Sequence, residues 1–233
     1  MNAATPKVCI IIPAYNEDKS IFSVIRTILR LQPDFTVLVI DDGSADRTSQ
    51  VSKAAGARVI RLPQNLGIGG AVQTGYRYAA ANGFDIAVQV DADGQHKPEE
   101  LPKILEPLLR NEADMVIGSR FVDKTDFRST VSRRTGIYIL SALVTFFTRQ
   151  PLKDVTSGFR AANRRVIELF AEEYSSDYPE VDSLVIAKRN RCRIREVSVQ
   201  MEPRQAGSSS ITSLKSAYYM VKVSLSVMVK SFR

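Results

Sequence analysis

The chain has 233 residues, 44% of them hydrophobic, enough apolar content to bury one large single-core domain. Its 32 Lys and Arg outnumber 25 Asp and Glu, and the formal net charge of +7 points to an anionic partner: nucleic acid, a phosphate-bearing substrate or an acidic membrane surface. Cys9 and Cys192 share no metal-ligand spacing, His96 is the single histidine, and the longest near-apolar run, Gly136 to Phe147, falls short of the roughly 20 residues a spanning helix needs. Together with an N-terminus that lacks a secretory leader pattern, these features read as a reducing, cytoplasmic protein without a histidine-rich metal centre.

Short β-rich runs at Val8–Ile12, Val37–Ile40, Arg58–Leu62, Ile86–Val90 and Asp114–Gly118 predict strands. Between them the pattern predicts helices over Ser20–Leu31, Asp46–Ala55, Gly70–Ala81 and Glu99–Arg110. Such alternation predicts an α/β fold, a mainly parallel, Rossmann-like sheet sandwiched by helices. Ser44 stands where a cap would open the second helix, Gly56 closes it, and Pro98 with Glu99 and Glu100 opens the fourth. The second half is less regular and reads as an elaboration of the same domain.

Three predicted strands end in polar clusters: PAYNE after the first, DDGS after the second and DADGQ after the fourth. Open parallel sheets bind ligands outside the carboxyl ends of their strands, so these clusters mark one site. In an extended segment Asp91 and Asp93 leave the same face and reach one ion, with Gln95 continuing the alternation; the oxygens suit Mg²⁺ or Mn²⁺. An ordinary Asp-Gly turn is the competing reading. Asp41 and Asp42 similarly suit either helix capping or hydrogen bonds to a nucleobase or ribose, and Pro13, Tyr15 and Glu17 suit either the wall of a nucleoside site or a plain turn.

Taken together, IIPAYNE, VIDDGSADRT, NLGIGGAVQTGY, DADGQHKPEEL, VIGSR and DVTSGFR resemble family 2 glycosyltransferases of the GT-A fold, and within them the dolichyl- and polyprenyl-phosphate sugar synthases. The resemblance runs in order from about Val8 to Ser209. It implies a nucleotide-sugar site at Pro13, Tyr15, Glu17, Asp42, Gly69, Asp91, Ala92 and Asp93, with a divalent metal on Asp91, Asp93 and Gln95. It further implies an acceptor-phosphate site at Arg120, Arg133 and Arg134, with Arg204 beside a flexible RQAGSSS segment. A phosphate-monoester acceptor is largely dianionic at neutral pH and requires no general base. A saccharide hydroxyl would require one, for which Asp154, Glu180 and Asp182 are candidates; Asp154 is kept as a catalytic-site residue without a fixed role.

Domain organisation follows the same lines: a catalytic domain over 1–210, its nucleotide-sugar half about 1–122 and its acceptor half about 123–210, and an amphipathic helix over 211–233. In the tail, Ile211, Leu214, Tyr218, Val221, Leu225, Met228 and Phe232 recur at three- and four-residue steps, with lysines elsewhere on the helix. That face suits a membrane interface, a small transmembrane partner protein, self-association into a homo-oligomer, or the protein's own core.

Several other signals are weak. GIGGAV lacks the third glycine of a dinucleotide fingerprint, His96 suits either a diphosphate contact or a local cap, and the basic run KRNRCRIR from Lys188 to Arg195 lacks the interleaved aromatics of a nucleic-acid surface. The reading is an inverting glycosyltransferase, peripheral at the cytoplasmic face of a membrane, that moves one sugar from a nucleotide sugar to a polyprenyl phosphate. The donors favoured are UDP-N-acetylglucosamine and UDP-glucose, with GDP-mannose as a third; the acceptor is undecaprenyl or dolichyl phosphate. Transfer to a saccharide hydroxyl and a non-catalytic nucleotide-sugar-binding subunit are the alternatives.

Overall fold

The computed structural model describes residues 5–122 and 140–202, apart from 143 and 147. The strands are β1 (Val8–Ala14), β2 (Thr36–Asp41), β3 (Arg58–Arg61), β4 (Ile86–Gln89), β5 (Met115–Ser119), β6 (Arg160–Asn163) and β7 (Ile194–Ser198). The helices are α1 (Ile21–Leu31), α2 (Thr48–Ala54), α3 (Gly67–Ala81), α4 (Leu101–Leu109, entered through a 3₁₀ turn at Pro98–Glu100), α5 (Arg164–Glu172) and α6 (Pro179–Arg189). One seven-stranded sheet runs in the order β3-β2-β1-β4-β6-β5-β7. All pairings are parallel except those of β6, which lies antiparallel between β4 and β5.

Side-chain alternation along the central strands separates two cores. Cys9, Ile11, Leu38 and Ile40 face one side with α3, α5 and α6; Ile10, Ile12, Val37 and Val39 face the other with α1 and α4. Every residue of β1 is buried, as expected of a strand covered on both faces. On α1, Ile21, Val24, Ile25 and Ile28 recur at three- and four-residue steps and are all buried, each contributing about 1.5–3 kcal/mol. Across the sheet, α3 lies close on β1 because Gly75 has no side chain: a Cβ there would come within 2.3 Å of Ile11 Cγ2. Tyr76 on α3 meets Phe170 and Tyr174 with ring centroids 5.2 and 5.6 Å away, which seats α5 on α3.

The chain leaves β1 toward β2 and β3, then crosses back through α3 to β4 on the other side of β1. That reversal opens a crevice above the carboxyl ends of β1, β2 and β4, where all three predicted polar clusters lie. The five predicted strands and four predicted helices form within a few residues of their expected bounds. Ser44 is a correction: α2 starts at Thr48, and Ser44 Oγ instead accepts from the Asn16 amide at 2.9 Å, joining the loops after β1 and β2. Among the described residues of the second half, β6, α5, α6 and β7 are regular elements that the sequence reading did not place. The predicted 211–233 helix lies outside the described residues; among those described, no helix is long and apolar enough to cross a membrane.

Asp114, at the foot of β5, secures the inserted strand and the last one. Its carboxylate accepts from the Arg193 amide at 2.8 Å, from the Arg193 guanidinium and from Asn163 Nδ2 at 3.0 Å. The Arg193 hydrogen bonds outweigh burial and hold the Asp114 carboxyl below its usual range. A depressed carboxyl contributes stability that is present at neutral pH and lost as pH falls through its folded-state pKa. Asp114→Asn is therefore expected to lower stability by roughly 1–3 kcal/mol at pH 7. In urea denaturation the difference from wild type should shrink below about pH 4; a constant difference down to pH 2 would contradict this account.

Candidate functional site

The loops after β1 and β2 are stitched together by side chains that accept from backbone amides. Asn16, at a left-handed φ of 58°, accepts from the Ala45 amide at 2.8 Å; the Glu17 amide donates to Thr48 Oγ1 at 2.8 Å. Pro13 is buried one residue before the end of β1, Tyr15 is 49% exposed in the loop that follows, and the Glu17 carboxylate accepts from Ser20 Oγ at 2.9 Å. Asp41 is fully buried and accepts from the Ser44 amide and from Ser49 Oγ. Asp42 spans to the next element: its two oxygens accept from the Leu66 and Gly67 amides at 2.7 and 2.9 Å, at the start of α3. Burial raises the Asp42 carboxyl, against the lowering effect of those two amides.

Gly69 lies in the first turn of α3, under the 175–176 loop. A Cβ there would stand 2.2 and 2.5 Å from the carbonyl oxygens of Ser175 and Ser176. The structure thus shows a packing reason for this glycine, which the sequence assigned to the nucleotide-sugar site. Ser175 Oγ in turn donates to the fully buried Asp182 at 2.6 Å.

Asp91 and Asp93 do not project from an extended strand, as their spacing suggested. β4 ends at Gln89, residues 92–94 form a turn with Gly94 at φ 78°, and Asp93 Oδ1 accepts from the Gln95 amide at 3.0 Å. The acids belong to an Asp-Gly turn that presents Asp91 outward, its side chain 34% exposed, while Ala92 and Asp93 turn in. His96 supports the turn from below: Nδ1 accepts from the Asp91 amide at 3.0 Å and the ring stacks on Phe159 at 4.9 Å. Between its two readings, the structure shows the local cap.

The segment DVTSGFR, residues 154–160, joins the ends of β4 and β5. Asp154 is completely buried and takes the Arg120 fork, Nε to Oδ2 and Nη2 to Oδ1, both at 2.7 Å, plus the Arg120 amide at 3.0 Å. Removing either partner alone would strand a buried charge, a loss of about 3–5 kcal/mol. Ser157 Oγ donates to the Gly118 carbonyl at 2.6 Å, and Gly158 leaves Asp91 uncovered on one side, since a Cβ there would lie 3.2 Å from Asp91 Oδ1. Arg133, Arg134 and Arg204, the remaining arginines expected at the acceptor, lie outside the described residues.

Three residues enter that the sequence reading passed over. Glu196 on β7 accepts from the Lys153 and Asp154 amides at 2.8 and 2.7 Å and so fixes the backbone of Asp154. Burial pushes the Glu196 carboxyl up, offset by those amides. Gln89, 2% exposed, has a side-chain amide with no hydrogen-bonding partner among the described residues, beside Gly158 and Asp91. Arg160, opposite Gln89 in the β4–β6 register, is buried and donates to the Ser157 and Val155 carbonyls and to Ser183 Oγ. Burial raises the carboxyl of half-buried Glu180, Asp91 and Asp182 add to the rise, and the Arg160 guanidinium opposes it. Glu196 and Gln89 carried no local signal, because their neighbours are distant in sequence; Arg160 closes DVTSGFR and bonds partly within that segment, and only its bond to Ser183 is long-range.

Among the described residues, no three His, Cys, Asp or Glu side chains converge tightly enough to hold a metal ion by themselves. The turn carries donor types that suit a hard cation whose remaining ligands come from a substrate, two carboxylates and an amide oxygen, but it turns Asp93 in and leaves Asp91 as the open carboxylate above Gly158.

Residues 9–170 match the family model described as Glycosyl transferase family 2. The chain is 33% identical over 215 residues to an undecaprenyl-phosphate mannosyltransferase from Micrococcus luteus, with 88% of each chain covered. It is 31% identical over 211 residues to a UDP-N-acetylglucosamine–dolichyl-phosphate N-acetylglucosaminyltransferase from Methanococcus voltae, covering 82% of this chain and 84% of that one. In three dimensions it is similar to glucosyl-3-phosphoglycerate synthase from Mycobacterium tuberculosis in complex with Mn²⁺, UDP and phosphoglyceric acid. The TM-score is 0.74 at 22% identity, over 98% of this chain and 79% of that one, a likeness of fold.

Gly69→Ala tests the close approach of α3 to the 175–176 loop. In an open helix the change would add about 1 kcal/mol of stability. Here the obstacle is backbone rather than a flexible side-chain end, so a net loss of roughly 1–3 kcal/mol is expected in urea denaturation. A midpoint at or above that of wild type would show that the loop moves aside freely.

Proposed function

This chain belongs to glycosyl transferase family 2, a glycosyltransferase of the GT-A fold, and we propose that it moves one sugar from a nucleotide-diphosphate sugar to a polyprenyl phosphate. The observation that carries this reading is the turn after β4, which presents Asp91 above Gly158 at the switch point of the sheet. The acceptor is supported by two relatives, each aligned over more than four-fifths of this chain, that are named for transfer to an undecaprenyl or a dolichyl phosphate. A donor carrying UDP is favoured, as in the relative named for UDP-N-acetylglucosamine; the mannosyltransferase keeps GDP-mannose among the donors to test.

In this reading Asp91, Asp93 and Gln95 hold Mg²⁺ or Mn²⁺. The ion would supply neutralisation of charge on the departing nucleoside diphosphate. Tyr15 and Glu17 flank the nucleoside at the mouth of the crevice, and Asp42 shapes that wall by fixing the start of α3. The acceptor phosphate meets Arg120, with Arg133, Arg134 and Arg204 completing its surroundings. Asp154 orients the Arg120 fork before the acceptor arrives, so that little ordering cost is left for binding. Glu196 fixes the backbone that carries Asp154. A phosphate oxygen then attacks the anomeric carbon as the bond to the diphosphate oxygen breaks, inverting that carbon. The acceptor arrives ionised, so no side chain need take a proton. A lipid-phosphate acceptor accords with a protein peripheral to a membrane, and the cytoplasmic face is the side this reading assigns it.

The test is transfer of labelled sugar from UDP-N-acetylglucosamine, UDP-glucose and GDP-mannose to undecaprenyl or dolichyl phosphate, with Mg²⁺ or Mn²⁺, read as label in an organic extract. Asp93→Asn keeps an oxygen for the Gln95 amide and removes the charge, so the fold should stand while transfer falls roughly 100-fold. Full activity in the variant would remove Asp93 from the metal site. Label appearing only in a water-soluble saccharide would replace the lipid acceptor with a hydroxyl.

A further inference from the structure

The basic run Lys188–Arg195 takes no part in the site above. It closes α6 and opens β7. Because β7 runs parallel to β5, and β4 and β5 are both antiparallel to β6, the run lies at the opposite end of the sheet from the acidic turn. There the structure forms a cleft of about 410 Å³ surrounded by five cations: Arg149, Lys188, Arg189, Arg191 and Arg193. Two are engaged, Arg189 with Glu173 and Arg193 with Asp114. Arg149, Lys188 and Arg191 have no ion-pair partner among the described residues.

The backbone adds a second, independent observation. Arg149 and Arg191 stand at φ 52° and 56°, in the left-handed region where a Cβ is disfavoured. Arg191 follows Asn190, the C-cap of α6, at the position where glycine closes a helix with least strain. Gln150 Nε2 donates to the Ile194 carbonyl at 2.6 Å and draws the turn carrying Arg149 against the start of β7. Two arginines thus occupy places where the backbone favours glycine, and both line the same concave surface.

We propose that this cleft is an anion site for a multiply charged phosphate group, free in solution or carried as the headgroup of an anionic lipid. Guanidinium forks match phosphate oxygens bidentately, and Lys188 adds a point charge beside them. The site is independent of the glycosyl-transfer reading and stands or falls separately from it.

The test uses the intact chain in metal-free buffer with EDTA. Inorganic pyrophosphate binding is measured by titration calorimetry, and association with phosphatidylcholine vesicles containing phosphatidic acid, whose headgroup is a phosphate monoester, by co-sedimentation. The variant is Arg149→Gly with Arg191→Gly, which relieves both left-handed arginines and should melt at or above the wild-type temperature. Arg26→Gln with Arg30→Gln, two exposed cations on α1, serves as the control of equal charge. At least one ligand is expected to bind wild type and to bind the double glycine variant about tenfold more weakly, with the α1 control unchanged. Loss of pyrophosphate binding alone identifies free phosphate as the source, loss of vesicle binding alone identifies the headgroup, and loss of both supports the shared chemistry. Wild type that binds neither ligand, a double variant that binds as wild type does, or an equal loss in the α1 control would overturn the proposal.

Discussion

Acidic side chains that accept from backbone amides hold the loops at the carboxyl ends of the strands, and the crevice depends on them. Asp41 takes the Ser44 amide, Asp42 those of Leu66 and Gly67, Asp93 that of Gln95, Asp154 that of Arg120, and Glu196 those of Lys153 and Asp154. Buried amides without acceptors would each cost about 1–3 kcal/mol, so loops of this density could not otherwise lie so close together. The tight contacts at Gly69 and Gly158 follow from that closeness.

The same arrangement sorts the acids by what they have left to offer. Asp41, Asp42 and Glu196 are committed to the backbone, and Asp154 to Arg120. Asp91 differs: its neighbours are the His96 ring below and Gly158 beside it, and its carboxylate reaches solvent. One edge of the crevice therefore carries carboxylate suited to a cation, while the end of β5 carries a buried guanidinium already oriented by its partner. A reaction between a nucleotide sugar and a phosphate acceptor needs both kinds of charge in one place without their neutralising each other. Here the 154–160 segment keeps them apart by pairing Arg120 internally while passing Gly158 under Asp91.

Legibility in the sequence varied with how local the signal was. β1, β2 and β4 are apolar runs with polar ends, and α1 shows one apolar stripe; both patterns are complete within a dozen residues. α6 escaped because seven consecutive residues, Val181 to Ala187, are buried, which leaves no polar face to give a period. β6 reads RAAN and carries no β-branched residue, so only its neighbours β4 and β5 make it a strand. The spacing of Asp91 and Asp93 suggested an extended pair, and Gly94 turns the chain before such a pair can form.

The sequence by itself determined that the strands of the first half end in acid and glycine, and hence that a charged site lies at one edge of a parallel sheet. Those features are set by neighbours in the chain, through strand alternation and the conformational freedom of glycine. Only the tertiary structure decided which acids are committed and which is open. The partners that decide it are far apart in the chain: Asp42 with Gly67, Arg120 with Asp154, Asp154 with Glu196, and Asp91 with Gly158. Contacts of that range leave no periodic trace in the sequence, because they exist only once the sheet has brought its strand ends together.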